Sequence, residues 1–360
     1  MNWNKSIWLA AALFTASIHV QAQDNLINSL KGNVSDNSKE GFKFTEVINL
    51  GNTSIKDQGS SGTCWSYSGN SFLESEMIRM GKQPVEISPI FTARNTYIEK
   101  AKNFVRLHGD QAQGDGGQLH DVLTIFRQYG AVPREVYTGL QPGQARNNFS
   151  EMGPLLQGIT ETVAKSKKPS SNWLKAFTAA MDAYLGETPE SFQYKNKTYT
   201  PRTFADEVIG INPDDYVGIS SFDEHAYYKP FVLLIPDNWS FERFYNVQMN
   251  DLTDIIDNAL QNGYTVAWAT DVSEKSFSWK NGVAYVPETP VEQMTKEQVE
   301  NMFNGPKAEP TISAAQRQEA FDNYSTTDDH GMHIVGLVKD QNGKEYYIVK
   351  NSWGESNDYK

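Results

Sequence analysis

Cys64 is the only cysteine among 360 residues, and it follows Asp57-Gln58-Gly59-Ser60-Ser61-Gly62-Thr63 and directly precedes Trp65. A solitary thiol has no partner for an intramolecular disulfide, so packing or reactivity must account for it. The residues before it are polar and glycine-rich. Those after it have a helical period: Trp65, Gly69, Phe72 and Glu76 share a stripe with Leu73, Met77 and Met80 beside it, and Gly81 and Pro84 are stop signals. The thiol is therefore predicted at a loop-to-helix junction, where the partial positive charge of the helix N-terminus favours a thiolate. The plain alternative is a small buried hydrophobe that happens to start a helix.

Thiol chemistry needs a base for the proton, an orienter for that base and donors for an oxyanion. Gln58 supplies a candidate donor. Past residue 22 there are five histidines, His108, His120, His225, His330 and His333. His330 stands at the head of the apolar run His333–Val338, and the next run, Tyr346–Val349, leads into Lys350-Asn351-Ser352-Trp353-Gly354. Asn342-Gly343 between the runs is a hairpin signal. A hairpin joins the start of one strand to the end of the next, which makes His330 and Asn351 neighbours. A carboxamide can hold an imidazole in one tautomer without adding charge, and Trp353 can shield that bond from water. His333, inside the run, competes for the base role and reads better as a packed side chain.

The elements that must position these groups divide the chain. Residues 42–137 read as mainly helical: Ser88-Pro89 is an N-cap and N1 pair, and Gly114-Asp115-Gly116-Gly117 is a tight turn before a helix through Leu119, Val122, Leu123 and Phe126 that ends at Gly130. Residues 138–235 read as a helix-rich insertion with a small hairpin at 192–199 turning on Asn196-Lys197. Residues 236–360 read as strand-rich after a helix over 251–262. The fold class expected is α+β, with the site between a helical and a sheet-bearing half.

Residues 1–22 have the form of a secretory signal peptide: Lys5, an apolar stretch Ile7–Ile18, and Val20-Gln21-Ala22 as cleavage site. The apolar stretch is short for a bilayer span, and no later stretch approaches that length, so the expectation is an exported protein, periplasmic or secreted, without a membrane span in the mature chain. Residues 23–41 read as a polar, flexible lead-in. The formal net charge of −12 becomes −13 when Lys5 leaves with the leader (−12 − 1), which argues against nucleic-acid binding. No cysteine–histidine grouping suggests a metal and no phosphate loop suggests a nucleotide, so no cofactor is expected. Asp328-Asp329 reads as a solvated acidic loop, the alternatives being to tune His330 or to recruit a substrate's amino terminus.

Together, Gln58-(five residues)-Cys64-Trp65, a histidine opening a strand and Asn351-Ser352-Trp353-Gly354 resemble the papain-like cysteine peptidases. The resemblance implies a two-domain fold (helical left domain, sheet-rich right domain) and the roles nucleophile for Cys64, base for His330, orienter for Asn351 and oxyanion donor for Gln58. It favours His330 over His333, because the family's histidine precedes the strand glycine, here Gly336, by six residues and is followed by a small residue, here Gly331. It makes Gly116-Gly117 the glycine pair whose backbone aligns a substrate chain like an added strand. The gaps from Cys64 to His330 (266, 330 − 64) and to Asn351 (287, 351 − 64) exceed the roughly 130–150 of ordinary members. That spacing, Gly116-Gly117-Gln118 and Trp268–Val272 resemble the bleomycin hydrolase/aminopeptidase C branch. Ser61 stands where many members carry a disulfide cysteine. The branch implies peptide substrates, aminopeptidase activity and a homohexamer. Its members continue into another strand and a C-terminal segment that enters the cleft and restricts cutting to free amino termini; neither is found up to Lys360, so exo- and endopeptidase action both stay open. An acyltransferase with the same acyl-enzyme and a papain-fold binding protein without turnover are the alternatives.

Overall fold

The computed structural model describes residues 41–355. The expected signal peptide, nearly all of the lead-in and the last five residues lie outside the described residues. Three helices form the first half: α1 (Cys64–Arg79), α2 (Pro89–Arg106) and α3 (Leu119–Tyr129). The Ser88 hydroxyl accepts from the Phe91 N–H at 3.0 Å with Pro89 in the first turn, so the cap expected from sequence forms. Gly130 ends α3 with φ 80°, a left-handed conformation that costs glycine little.

Helix α1 is buried nearly all round, not on one stripe. Small polar residues let its neighbours approach, and their hydroxyls and amides are satisfied: Ser66 Oγ donates to Pro89 O at 2.7 Å, Ser68 Oγ to Gly331 O at 2.6 Å and Asn70 Nδ2 to Ser66 O at 2.8 Å. Met80, expected beside the apolar stripe, is exposed.

Helices α4 (Met152–Ala164) and α5 (Asn172–Leu185), the hairpin β2–β3 (Phe192–Tyr194, Lys197–Tyr199) and the short helix α6 (Pro201–Phe204) follow α3. They do not enclose a separate core. Met152, Phe177, Met181, Phe204 and Ile209 join the apolar cluster that holds Leu73, Met77, Ile90 and Phe126. The hairpin turns on Lys195 and Asn196 (φ 44° and 64°), one residue earlier than Asn196-Lys197. Two successive left-handed residues match strand twist, and Lys197 is thereby released to pair with Tyr194.

The main sheet orders β1 (Thr45–Asn49), β10 (His330–Lys339) and β11 (Glu345–Lys350), with β7 (Val266–Thr270) also pairing with β10; all these pairings are antiparallel. Between α6 and β7 lie a small sheet of β4 (Ile219–Ser220), β5 (Lys229–Val232) and β6 (Arg243–Asn246) and the helix α7 (Met249–Gln261). A two-stranded ribbon of β8 (Phe277–Ser278) and β9 (Val283–Ala284) follows β7. Strand β1 is a departure from the helical reading of 42–137: it crosses to the sheet of the second half. A register shift between Glu46 and Ile48 breaks the alternation that would have marked it in sequence. No helix among the described residues is long and apolar enough to cross a membrane.

Candidate active site

The loop before Cys64 is stitched to the end of β11 by both backbone and side chain. Gln58 N–H donates to Ser352 O at 2.9 Å, and Ser352 Oγ donates to Gln58 Oε1 at 2.7 Å. Gln58 is 0 % exposed, and its Nε2 donates to Ser61 O at 2.6 Å. With its oxygen held by a hydroxyl and its nitrogen by a carbonyl, the carboxamide has one orientation, and one of its two N–H donors remains beyond the Ser61 bond. Cys64, 6 % exposed, is the first residue of α1, and Thr63 before it makes no side-chain cap. The first-turn N–H groups are thus not consumed by a capping hydroxyl, which leaves the positive end of α1 open at the thiol.

His330 opens β10. Its Nε2 lies 2.8 Å from Asn351 Oδ1, which also accepts from Ser352 N–H at 2.7 Å. Two donors converging on Oδ1 fix it as the oxygen, so Nε2 carries the proton and Nδ1 is the nitrogen left for proton exchange. The Trp353 ring lies 4.7 Å from the imidazole, centroid to centroid, and closes the bond from solvent. Burial holds the imidazole neutral, with its pKa lowered to about 4, while the bond to Asn351 pulls the other way. Gly331 brings this strand onto the thiol: a Cβ there would lie 3.0 Å from Trp65 Cα and 3.4 Å from the Cys64 carbonyl carbon. A side chain there would make the Trp65 backbone give by a few tenths of an ångström, so glycine suits the approach, which sets the residue after His330 against the Cys64–Trp65 backbone.

His333 is packed away from this site. It is fully buried, its Nδ1 lies 3.0 Å from Ser71 Oγ, and burial, with Lys350 adding to it, lowers its pKa to about 3. Gly116 and Gly117 form the opposite wall. Trp65 Nε1 donates to Asp115 O at 3.0 Å, and Lys100 Nζ donates to Gly114 O at 3.0 Å and Gly116 O at 2.7 Å, so the turn is anchored from α1 and α2. A Cβ on Gly117 would meet the Trp65 ring at 2.7 Å, so the glycine lets the turn lie flat on the indole.

Asp328 and Asp329 are not a solvated loop. Asp328 Oδ2 accepts from Gln118 Nε2 at 2.9 Å, which bridges the two walls, and Asp329 Oδ1 accepts from Val272 N–H at 2.9 Å. Burial first, then the nearby Asp237 charge, raises the Asp328 pKa to about 7. A carboxyl raised in the fold from an unfolded value near 4 binds extra protons between those limits. Its stabilising share is complete below about pH 4 and is lost as pH rises through 7, by at most about 4 kcal/mol. Asp328→Asn is therefore expected to unfold at a higher temperature than wild type at pH 8 and at the same temperature below pH 4, as thermal denaturation at both pH values would read.

Sequence reasoning brought together Gln58, Cys64, His330, Asn351 and Trp353. It missed Ser352 as the residue that fixes Gln58, although Ser352 lies in the string Asn351–Gly354, and it missed Lys100 and Asp237, whose positions depend on distant packing that no local pattern signals.

A model of the Peptidase C1-like family matches residues 10–360. Aminopeptidase G of Lactobacillus delbrueckii subsp. lactis is 25% identical over 376 residues, covering 91% of this chain and 81% of that protein. Aminopeptidase C of Streptococcus thermophilus is 22% identical over 392 residues, covering 96% and 84%. The crystal structure of PepW from Lactobacillus rhamnosis HN001 superposes with a TM-score of 0.65 at 22% identity over 87% of this chain and 76% of that one, so the two share a fold. With the match running over nearly all of its length, this chain belongs to the Peptidase C1-like family.

Proposed function

We propose that this protein is a cysteine aminopeptidase in which Cys64 is the nucleophile, His330 the acid–base, Asn351 its orienter and Gln58 the oxyanion donor. The observation that carries the reading is the pairing of the His330–Asn351 bond with the seating of Gly331 on the Cys64–Trp65 backbone. The aminopeptidase part is supported by the names of the relatives, Aminopeptidase G and Aminopeptidase C. The signal-like residues 1–22 support export.

In this reading the Cys64 proton passes to His330 Nδ1. An imidazolium this deeply buried needs an anion beside it, and the thiolate is that anion. The thiolate adds to the peptide carbonyl carbon, and the new oxyanion is held by the Gln58 side chain and the Cys64 N–H. His330 then gives its proton to the departing amine as the C–N bond breaks. Water, deprotonated by His330, attacks the thioester and releases the acid and the thiolate.

Hydrolysis of amino-acyl and peptidyl coumarin amides, run with and without pre-alkylation by iodoacetamide, tests the reading. Turnover that alkylation abolishes supports it; an absence of turnover, with Cys64 alkylated no faster than free cysteine, refutes it. Transfer of the acyl group to an added amine in preference to water would favour the acyltransferase. Gln58→Ala is expected to lose about 10²–10³-fold in kcat and not to be inactive, because the Cys64 N–H remains as a donor; steady-state kinetics on one substrate would check this.

A further inference from the structure

Resting on the peptidase reading, we propose that Asp237 decides where a peptide begins in the site: its carboxylate receives the free α-ammonium of the substrate and, by covering Gly116, denies the cleft to chain running further in the amino direction. The geometry lies at the glycine pair. A Cβ built on Gly116 would fall 2.3 Å from Asp237 Oδ2, 2.4 Å from Oδ1 and 2.6 Å from Cγ. The carboxylate is therefore laid directly against the Gly116 backbone, the surface along which an extended substrate would align.

This placement is built into the fold. Its neighbours Asn238 and Trp239 are buried. Asn238 Nδ2 donates to Leu233 O at 2.9 Å and Glu242 O at 3.0 Å, which closes the loop on itself. Trp239 Nε1 donates to Asp121 Oδ2 at 2.9 Å in the first turn of α3, and His120 Nε2 lies 3.1 Å from Ser240 Oγ. The loop is thus pinned to the helix that follows the glycine pair. On the other wall, the Gln118–Asp328 bond spans the cleft two residues before His330, so the covered stretch is narrow as well as negative. Asp237 and Asp328 feel each other, since the Asp237 charge helps raise the Asp328 pKa, and Asp237 also acts on the buried Lys100 ammonium, which donates to the carbonyls of Gly114 and Gly116. A cation arriving here meets a fixed carboxylate, and an ammonium carried on the residue before the scissile bond arrives with its position set by the bond to be cut.

The test uses the full chain and paired coumarin amides that differ only at the amino terminus: alanyl against N-acetyl-alanyl, and arginyl against N-acetyl-arginyl. Asp237→Asn keeps the bulk and removes the charge. Its kcat/KM on the free-amine substrates is expected to fall about 10- to 100-fold, chiefly through KM, and the free-to-blocked ratio to fall with it. Asp237→Gly removes the cover as well, and hydrolysis of an N-acetyl dipeptide amide is expected to rise about tenfold or more. A free-to-blocked ratio unchanged in both variants, with wild-type thermal transitions, overturns the proposal. So does a change confined to the preference for arginine over alanine, which would assign the carboxylate to a basic side chain. If wild type cleaves none of the four, the peptidase reading fails and this one with it; if wild type cleaves them and the ratio does not move, only the assignment of Asp237 fails.

Discussion

Cys64→Ala is expected to bring peptide hydrolysis down to the uncatalysed background, a loss of about 10⁶-fold in kcat, with the fold intact. Alanine is the best helix former and Cys64 is the first residue of α1, so the substitution costs the helix nothing. The side chain is nearly buried, and removing one sulfur leaves a void smaller than those that destabilise a core by several kcal/mol. Loss of activity with an unchanged thermal transition would therefore report chemistry alone. Peptide hydrolysis retained in this variant, measured by active-site-independent product detection, would sink the assignment of the nucleophile.

His330→Ala is expected to lose activity to a similar depth, and the double variant with Cys64→Ala to be no worse than either single one. A thiol and its base act as one unit, so their removal is not additive. The control is His333→Asn. His333 is as deeply buried and lies only three residues along the same strand, yet it faces Ser71 in α1. Its substitution is expected to lower the unfolding temperature while leaving kcat within a small factor of wild type. Parallel measurement of kcat and thermal unfolding on the two histidine variants separates base from packing residue; equal catalytic loss in both would refute the choice of His330.

How much of this was legible depended on sequence separation. The His330–Asn351 contact follows from a hairpin, because the turn at Asp340–Lys344, where the Asp340 carboxylate accepts from the Asn342 and Lys344 N–H groups, fixes which residues face one another. The capping of α2 by Ser88 was legible for the same reason, being satisfied within three residues. The hairpin at 192–199 was found but set one residue late, since composition names turn residues without fixing which two adopt the left-handed form. Helix α1 was recognised, but its burial was not: a helix enclosed on all sides carries no amphipathic stripe. Strand β1 was hidden by its bulge, and the acidic pair before His330 was misread because its burial depends on Gln118 and Val272, far away in the chain. Asp237 had no local signature at all.

Strand β1 has a consequence for resistance to proteolysis. It lies at the edge of the sheet, beside the strand that bears His330, with Leu50 N–H bonded to Val335 O at 2.9 Å and Ile48 O so close to Gly336 that a Cβ there would fall 2.2 Å from it. Trimming of the residues just before Thr45 would first remove the packing of Phe42 and Phe44 on Tyr346 and the bond from Lys43 N–H to Gln341 Oε1. A cut beyond Asn49 would strip the flank of the strand that carries the imidazole, so the reach of the catalytic base depends on a segment that precedes the nucleophile in the chain.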